Sequence, residues 1–365
     1  MAAPPPPAGV LRGHAAAVTA ARFTAADGAG EPLLASAGAD GELRLWSLRT
    51  RRTLAAAAAH SAPVLSLLPL ADGRLLTHGR DGAVRVWDGA AALALVGELA
   101  VRSYSFCQCA GSPALLRGWP PASPPSPPAA TPATPAEPAG WSSALLASPS
   151  EDAQEVLLWD LRQKAAARTL RPSSAGGEGL AGRRVGMCMC LRFVQRQPAE
   201  GGGGAQPVEL LSGWEDGTLK LFDLRADLPV SSSKLHTEPL LCVDAAATYA
   251  VTGSADCAVS VVELANSNVA EGILGSICQL SIPVTNEAQG SGGVSSLSLR
   301  PDGKLLAAGG WDKRVRVWQT RKWKPLAVLR QHNGTVNAVD FSSCSRWLAS
   351  ASNDHTIALW SLYPP

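Results

Sequence analysis

The chain has no excess of charge of either sign. Its 365 residues carry 32 basic and 30 acidic side chains, which gives a net charge of +2. Without a strong general field, the protein is not expected to bind nucleic acid or an anionic membrane through bulk electrostatics. The choice of partner must therefore depend on local features of the surface.

Long hydrophobic runs are also missing. The most apolar stretch, residues 90–101, is interrupted by Gly97 and Glu98, so nothing approaches the ~20 apolar residues of a membrane-spanning helix. The first residues, Met-Ala-Ala-Pro-Pro-Pro-Pro, lack the basic and apolar regions of a signal peptide. The sequence predicts a protein of the cytoplasm, the nucleus or both, without a membrane partner.

The eight cysteines fit a reducing compartment, where small apolar thiols are commonly buried. Cys107/Cys109 and Cys188/Cys190 are the only close pairs. A one-residue spacing places both thiols on the same face of a strand, whereas zinc ligands usually stand two to four residues apart. We therefore favour buried strand cysteines over a metal site, and we expect no cofactor.

Recognisable catalytic motifs are absent as well. The glycine run at 201–204 lacks the Lys-Ser/Thr pair that follows the glycines of a phosphate-binding loop. His236 and Glu238 are not followed by the second histidine of a zinc-protease motif. The sequence predicts a protein that is not an enzyme, with no catalytic residues and no small-molecule substrate.

What the sequence does contain is a repeat. Five times an aspartate precedes an aromatic residue by six positions, at Asp40/Trp46, Asp81/Trp87, Asp216/Phe222, Asp312/Trp318 and Asp354/Trp360. Asp and Gly build a turn in each unit, and the alternating residues that follow predict a strand. Further apolar stretches begin after His14, His60, His236 and His332. Each unit is therefore expected to hold about four short strands.

This layout resembles the WD40 family, whose unit of ~40–45 residues forms one blade of a propeller. Two weaker units, ending at Trp159 and Val262, fill the gaps, so the resemblance implies an all-β, seven-bladed WD40 β-propeller. Residues 10–14 closely copy residues 328–332. The N-terminal strand is therefore expected to complete the last blade and close the ring, which leaves no open strand edge.

The domain prediction is a disordered segment at 1–9 and a single propeller at 10–365. A proline-rich insertion at about 119–140 is expected to be disordered, because proline cannot join a strand ladder. Glycine-rich loops at about 173–184 and 200–206 are expected to be flexible. We interpret residues 265–293 as one long connection before blade six.

In WD40 blades, the histidine, a Ser or Thr, the turn Asp and the Trp form a buried hydrogen-bond relay. The resemblance implies this structural role for two sets of residues: His60, Thr77, Asp81 and Trp87, and His332, Ser350, Asp354 and Trp360. A Ser-His-Asp set of this kind satisfies buried polar groups and does not perform catalysis. Blade six has Ala308 in the Ser/Thr place and no matching histidine, so its relay is expected to be incomplete.

Residues just before the turn aspartates should lie on one face around the central channel: Ala39, Arg80, Glu215, Ala255, Trp311 and Asn353. We take Arg80, Glu215, Trp311 and Asn353 as the candidate partner-binding face, because Trp and Arg dominate binding energy at interfaces. The alternative for Trp311 is that it covers a neighbouring blade, as single surface aromatics often do.

A basic strip in blade six is a second candidate. It comprises Lys313, Arg314, Arg316, Arg321, Lys322, Lys324 and Arg330, with Trp318 and Trp323 interleaved. Such a strip could bind a phosphopeptide or nucleic acid. Strand alternation more often makes a solvated outer edge, so a nucleic-acid partner is the less favoured reading.

Five stretches resemble the G-protein beta-like branch of the WD40 family: 189–192, 213–217, 310–317, 325–329 and 359–364. The resemblance extends more loosely to the fungal ASTRA-associated WD proteins, which are linked to a co-chaperone assembly that matures phosphatidylinositol-3-kinase-like kinases. It implies a protein-interaction scaffold or adaptor in kinase stability and DNA-damage signalling, and a monomeric propeller within larger complexes. A G-protein beta-like signalling subunit is the alternative.

True beta subunits place a long helix before blade one, which coils with a gamma subunit. The residues before Val10 are rich in Pro, Ala and Gly, and proline cannot sustain such a helix. A gamma subunit is therefore not the expected partner.

Overall fold

The computed structural model describes residues 5–26, 30–90, 92–103, 105–116, 144–151, 154–161, 165–172, 186–195, 208–224, 228–264, 274–281 and 292–362. These ranges form seven antiparallel four-stranded sheets. The only helix among them is α1 (Pro113–Leu116), and no helix in these ranges has the length and apolar character of a membrane span. The predicted all-β, seven-bladed propeller is confirmed.

Strand β1 (Gly9–Arg12) comes first in the chain, and the blades follow in order. Blade one contains β2 (Val18–Ala26), β3 (Pro32–Gly38), β4 (Glu42–Ser47) and β5 (Arg52–Ala58). Blade two contains β6 (Val64–Pro69), β7 (Arg74–Gly79), β8 (Ala83–Asp88) and β9 (Ala94–Ala100). Blade three contains β10 (Ala110–Gly111), β11 (Leu145–Pro149), β12 (Val156–Asp160) and β13 (Ala165–Leu170).

Blade four contains β14 (Cys188–Gln195), β15 (Val208–Trp214), β16 (Thr218–Asp223) and β17 (Pro229–Lys234). Blade five contains β18 (Leu240–Ala245), β19 (Tyr249–Ser254), β20 (Ala258–Leu264) and β21 (Leu274–Ser281). Blade six contains β22 (Val294–Leu299), β23 (Leu305–Gly310), β24 (Arg314–Gln319) and β25 (Lys324–Arg330). Blade seven contains β26 (Val336–Phe341), β27 (Trp347–Ser352) and β28 (Thr356–Ser361).

The ring closes as predicted, because β1 is the fourth strand of blade seven. It pairs antiparallel with β28, from Gly9 opposite Leu359 to Arg12 opposite Thr356. Ala8 also donates its backbone N–H to the Leu359 carbonyl at 2.8 Å. The strand pairing thus begins within residues 1–9, which we expected to be disordered, because the backbone of Leu359 forms hydrogen bonds with the last residues of that segment.

The connection expected at 265–293 requires a correction. Residues 274–281 form β21 and pair with β20, from Ala258 opposite Ser281 to Leu264 opposite Leu274. Blade five needs this strand because the outer edge of β20 would otherwise be unpaired. The insertions predicted at about 119–140, 173–184 and 200–206 lie outside the described residues.

The hydrophobic core lies between the blades. Alternation along each strand sends apolar side chains to the sheet faces, as with Leu43 and Leu45 in β4. These residues pack in one buried cluster with Leu67 and Trp87 of the next blade. Each fully buried leucine contributes roughly 1.5–3 kcal/mol, so the stability of a blade depends on its neighbours.

The innermost strands of adjacent blades are joined by hydrogen bonds at one register position. From blade five round to blade one, a side chain in each blade accepts the backbone N–H of the next: Asp244 from Leu299 (2.7 Å), Ser298 from Phe341 (3.2 Å) and Asp340 from Phe23 (2.7 Å). These bonds link blades whose backbones do not otherwise form a ladder, and so fix the spacing of the inner rim.

Candidate partner-binding face

The turn aspartates are held in place by the relay. In blade two, His60 Nδ1 lies 2.9 Å from Asp81 and Nε2 lies 2.8 Å from the Thr77 hydroxyl. The indole N–H of Trp87 donates to the same hydroxyl at 2.9 Å. In blade seven, the corresponding distances are 3.0, 2.8 and 3.0 Å, for His332 with Asp354, His332 with Ser350 and Trp360 with Ser350.

The electrostatics of the relay favour a neutral histidine and an ionised aspartate. Burial lowers the pKa of His60, although the hydrogen bond to Asp81 opposes that effect. Burial raises the pKa of Asp81, but hydrogen bonds from His60 and Arg85 outweigh it and bring the pKa to about 2. Because every polar group in the set is bonded to another, the set has no free nucleophile or base to offer a substrate.

Blade one leaves the relay open at the aspartate end. His14 Nε2 lies 2.7 Å from the Ser36 hydroxyl, but Nδ1 has no hydrogen-bond partner among the described residues. His14, Asp40 and Glu42 place three potential metal-ligand atoms within 4.8 Å of one another. Arg44 already donates to Glu42 at 2.9 Å, so its guanidinium competes with a metal ion for that carboxylate. Burial and Arg44 lower the pKa of His14 to about 4.

Two blades replace the missing histidine with another side chain, which sequence reasoning did not find. In blade four, Trp214 is fully buried and its indole N–H donates to Ser212 at 2.8 Å. The corresponding position in blade two is Gly79, where a Cβ would lie 2.2 Å from His60. Trp214 therefore occupies the place of the histidine. A tryptophan directly before the Glu-Asp turn of a unit without a histidine was the available signal.

In blade six, Arg316 takes the place of the histidine as the partner of the turn aspartate. Its guanidinium binds both carboxylate oxygens of Asp312, at 2.6 and 3.1 Å, and its side chain is buried. Ala308 stands directly opposite Arg316 in the ladder and offers no hydroxyl. Such bidentate pairs are among the stronger polar interactions in proteins.

The six residues before the turn aspartates occupy equivalent positions. Each donates its backbone N–H, at 2.8–3.1 Å, to a carbonyl that precedes the first strand of its own blade: Ala39 to Ala17, Arg80 to Pro63, Glu215 to Met187, Ala255 to Pro239, Trp311 to Gly293 and Asn353 to Thr335. The same bond in six blades places these residues on one side of the ring, which we call the upper face.

The four candidate contacts lie on four different blades of the upper face, and all four are exposed. Trp311 packs on Gly293 of its own blade, where a Cβ would lie 2.7 Å from the ring, and it remains 37% exposed. Glu215 accepts the backbone N–H of Met187 at 3.0 Å, and Asn353 accepts a hydrogen bond from Asn337 at 2.7 Å.

Three further exposed residues on this face were missed. The Arg80 guanidinium lies over the ring of Phe106, 4.3 Å from its centre, and Phe106 is 59% exposed. Met187 is 37% exposed beside Glu215, and Arg102 is exposed next to the turn that follows Arg80. Phe106, Met187 and Arg102 fall between the repeat motifs, so the spacing argument could not select them.

The basic strip does not form one surface. Arg316 is buried against Asp312, and Trp318 is only 5% exposed. Arg314 stands opposite Arg330 at one end of the β24–β25 ladder, whereas Lys324 stands opposite Gln319 at the other. Five residue steps separate these ends, or roughly 17 Å along a strand. The cations therefore divide between the two sides of the ring.

The paired cysteines are buried at the inner rim of blades three and four. Cys107 and Cys188 bring their sulfur atoms to 3.9 Å. Burial raises the pKa of the thiols of Cys107, Cys109 and Cys190 well above the ordinary value. A protonated thiol is a poor metal ligand, because the thiolate is the coordinating form.

Comparison with known proteins agrees with this architecture. The family model described as WD domain, G-beta repeat matches residues 6–47, 51–88, 283–319 and 323–361. These segments include strands β1 to β8 and β22 to β28, which lie in blades one, two, six and seven. The chain belongs to the WD40 repeat family, as its resemblance predicted, and it is a seven-bladed propeller of that class.

Its similarity to individual proteins extends over almost the whole chain. It is 32% identical to the guanine nucleotide-binding protein subunit beta-like protein 1 of Mus musculus over 367 residues, covering 99% of this chain and 97% of the relative. ASTRA-associated protein 1 of Schizosaccharomyces pombe is 26% identical over 393 residues (98% and 99% coverage). That of Verticillium alfalfae is 25% identical over 422 residues (98% and 93%). Proteins of this class are typically non-enzymatic scaffolds.

Proposed function

We propose that this protein is a non-enzymatic scaffold that binds protein partners through its upper face, with Arg80, Glu215, Trp311 and Asn353 among the contacts. The observation that supports this best is Trp311, a large apolar side chain that stays 37% exposed directly before the turn aspartate of blade six. Exposed aromatic and Arg side chains on a rigid backbone have the composition of interface hot spots.

The names of two relatives support a finer proposal. Both relatives are called ASTRA-associated protein 1. We infer that this chain acts as a monomeric propeller within an ASTRA-type assembly, in the cytoplasm or nucleus. The same proposal includes assistance to a co-chaperone assembly that matures or stabilises phosphatidylinositol-3-kinase-like kinases, and through them DNA-damage signalling. The rigid ring suits this role because it can hold one partner while others assemble around it.

The test is recovery of partners with the tagged protein from cells. Arg80→Ala combined with Trp311→Ala should leave thermal stability and circular dichroism unchanged, because both side chains are exposed. The same double variant should lose most of the co-chaperone and kinase proteins that accompany the wild type. The matched control is Leu54→Ala with Lys322→Ala, which removes two exposed side chains away from the upper face.

Equal recovery with the double variant and the wild type would remove the upper face from the proposal. Recovery of a gamma subunit, verified by co-expression of the two chains, would favour the G-protein beta-like alternative. Binding to nucleic acid or to a phosphopeptide that weakens steeply with salt would favour the third reading.

A further inference from the structure

The loop that enters blade three departs from the repeat at the position of the relay histidine. In blades two and five, the backbone N–H of the histidine donates to a turn glycine carbonyl: His60 to Gly41 at 3.0 Å and His236 to Gly217 at 3.2 Å. Arg102 makes the same bond to Gly82 at 3.0 Å. Arg102 therefore holds in blade three the position that His60 and His236 hold in their own blades.

The side chain at this position points differently in blade three. His60 and His236 are buried and bound to turn aspartates, whereas Arg102 is exposed and has a φ of 50°. A non-glycine residue in this left-handed region carries a conformational cost and is often found at functional sites. Blade three thus has an exposed cation at the position where blades two and five have a buried relay histidine.

A second cation and an aromatic ring lie beside the same turn. Arg80 begins the turn that contains Gly82, and its guanidinium stacks on Phe106 at 4.3 Å. Phe106 is the most exposed large hydrophobic side chain in the described part of the chain, at 59%. We call Arg80, Arg102 and Phe106 the blade-three patch.

The cations of this patch lack carboxylate partners within the described ranges. No ion pair involves Arg80 or Arg102 there, while Arg85 binds Asp81 at 3.0 Å. Asp81 is in turn committed to His60. An unpaired guanidinium forms strong, directional hydrogen bonds with carboxylates, and an exposed ring beside it gives an apolar contact.

We propose that the blade-three patch binds an acidic segment of a partner protein, with Asp or Glu carboxylates on Arg80 and Arg102 and an apolar side chain on the free face of Phe106. This inference rests on the proposed scaffold function and names the chemistry of its partner. Two cations are too few to follow a phosphate backbone, which favours a peptide over nucleic acid.

The probe is a short fluorescein-labelled peptide of Asp and Glu with a central Leu-Phe pair, titrated with the full chain by fluorescence anisotropy. Arg80→Ala, Arg102→Gln and Phe106→Ser should each weaken binding by about five- to tenfold, since each removes one contact of a small site. Lys313→Ala is the matched control, because Lys313 is an exposed cation next to a turn aspartate in blade six. This variant should bind the peptide with the same affinity as the wild type.

Two control peptides test the chemistry, one with Asn and Gln in place of the acids and one with Gly in place of Leu-Phe. Both should bind weakly. Equal binding of the neutral peptide, equal losses with Lys313→Ala, or tighter binding of a single-stranded oligonucleotide would overturn the acidic-peptide assignment. If the assignment fails while Arg80→Ala with Trp311→Ala still loses its cellular partners, the scaffold function stands and only the partner chemistry is wrong.

Discussion

Asp340 in β26 accepts the backbone N–H of Phe23 in β2, with 2.7 Å between the two atoms. This bond joins the last blade of the ring to the first at the inner rim, whereas β1 completes blade seven at its outer edge. The Arg22 guanidinium lies 3.9 Å from the same carboxylate. Burial raises the pKa of Asp340 to about 6, although Arg22 and the Phe23 N–H act in the opposite direction.

This pKa gives a prediction for Asp340→Asn. The ordinary pKa of an aspartate is 3.8, and the pKa of Asp340 in the folded protein is about 6. Between these pH values the folded protein binds more protons than the unfolded chain, so its stability falls as pH rises. Asn keeps an oxygen for the Phe23 N–H and cannot ionise. Relative to the wild type, the free energy of unfolding of Asp340→Asn should rise by about 3 kcal/mol between pH 3 and pH 7, measured by urea unfolding at each pH.

Asp340→Ala is the companion variant, because it removes both the charge and the hydrogen-bond acceptor. Its free energy of unfolding should change with pH in the same way as that of Asp340→Asn. At every pH it should be lower by about 1 kcal/mol, because the hydrogen bond to Phe23 is lost. A constant difference between wild type and Asp340→Asn across the pH range would contradict the buried-carboxylate account.

The relay hydrogen bond of a tryptophan can be isolated by comparing two blades. Trp87 donates to Thr77 at 2.9 Å, whereas Trp318 faces Ala308, which has no hydroxyl. Both indoles are similarly buried, at 6% and 5% exposed, so Phe substitution removes similar apolar contact. Trp87→Phe should therefore cost about 1 kcal/mol more than Trp318→Phe in urea unfolding. Equal costs would show that the hydrogen bond adds nothing to packing.

The blades were predictable because their signals are local. An aspartate turn and the alternation that follows it lie within one stretch of chain, as from Asp354 to Trp360. Closure of the ring was predictable for a related reason, since residues 10–14 copy residues 328–332. The structure places Leu11 opposite Ile357, which confirms the strand that this copy predicted.

The details of the site depend on contacts between distant residues. Trp214 could be recognised as a substitute for the histidine only when its ring was seen to reach Ser212. The sequence pattern placed Arg316 in a basic strip, yet its side chain is buried because its guanidinium binds Asp312. The exposure of Phe106 follows from the fold of an entry loop that carries no repeat signal.

His78 predicts a further pH dependence. Its side chain is buried and neither ring nitrogen has a hydrogen-bond partner of good geometry in the described structure. Burial, with a smaller effect of His60, lowers its pKa from 6.5 to about 4. The unfolded chain therefore binds more protons between these values, so stability falls as pH drops from 6.5 to 4.

His78→Ala should reduce this acid destabilisation by about 3 kcal/mol over that pH range. Alanine is already present at the same register position in blades one and seven, as Ala37 and Ala351. The measurement is the change in the free energy of unfolding with pH. The cavity left by the missing imidazole lowers stability equally at every pH, so it does not affect this change. His355→Ala deletes an exposed histidine and is the matched control. The same change in both variants would contradict burial as the cause.

Gly41 and Gly73 separate backbone strain from steric contact. Both have left-handed backbones, with φ values of 79° and 83°. A Cβ on Gly73 would meet nothing within 4 Å, whereas one on Gly41 would lie 2.0 Å from the His60 carbonyl. Gly73→Ala should therefore cost only the strain of about 1–2 kcal/mol.

Gly41→Ala should cost roughly 2–5 kcal/mol, because the overpacking of a rigid contact adds to the same strain. The Gly41 carbonyl accepts the N–H groups of Ala59 and His60 at 2.9 and 3.0 Å, so a displaced turn also moves the relay histidine of blade two. The measurement is urea unfolding of both variants. Equal losses of stability in the two variants would mean that the loop around His60 moves aside at little cost. The turn at Gly41 would then not hold His60 in position.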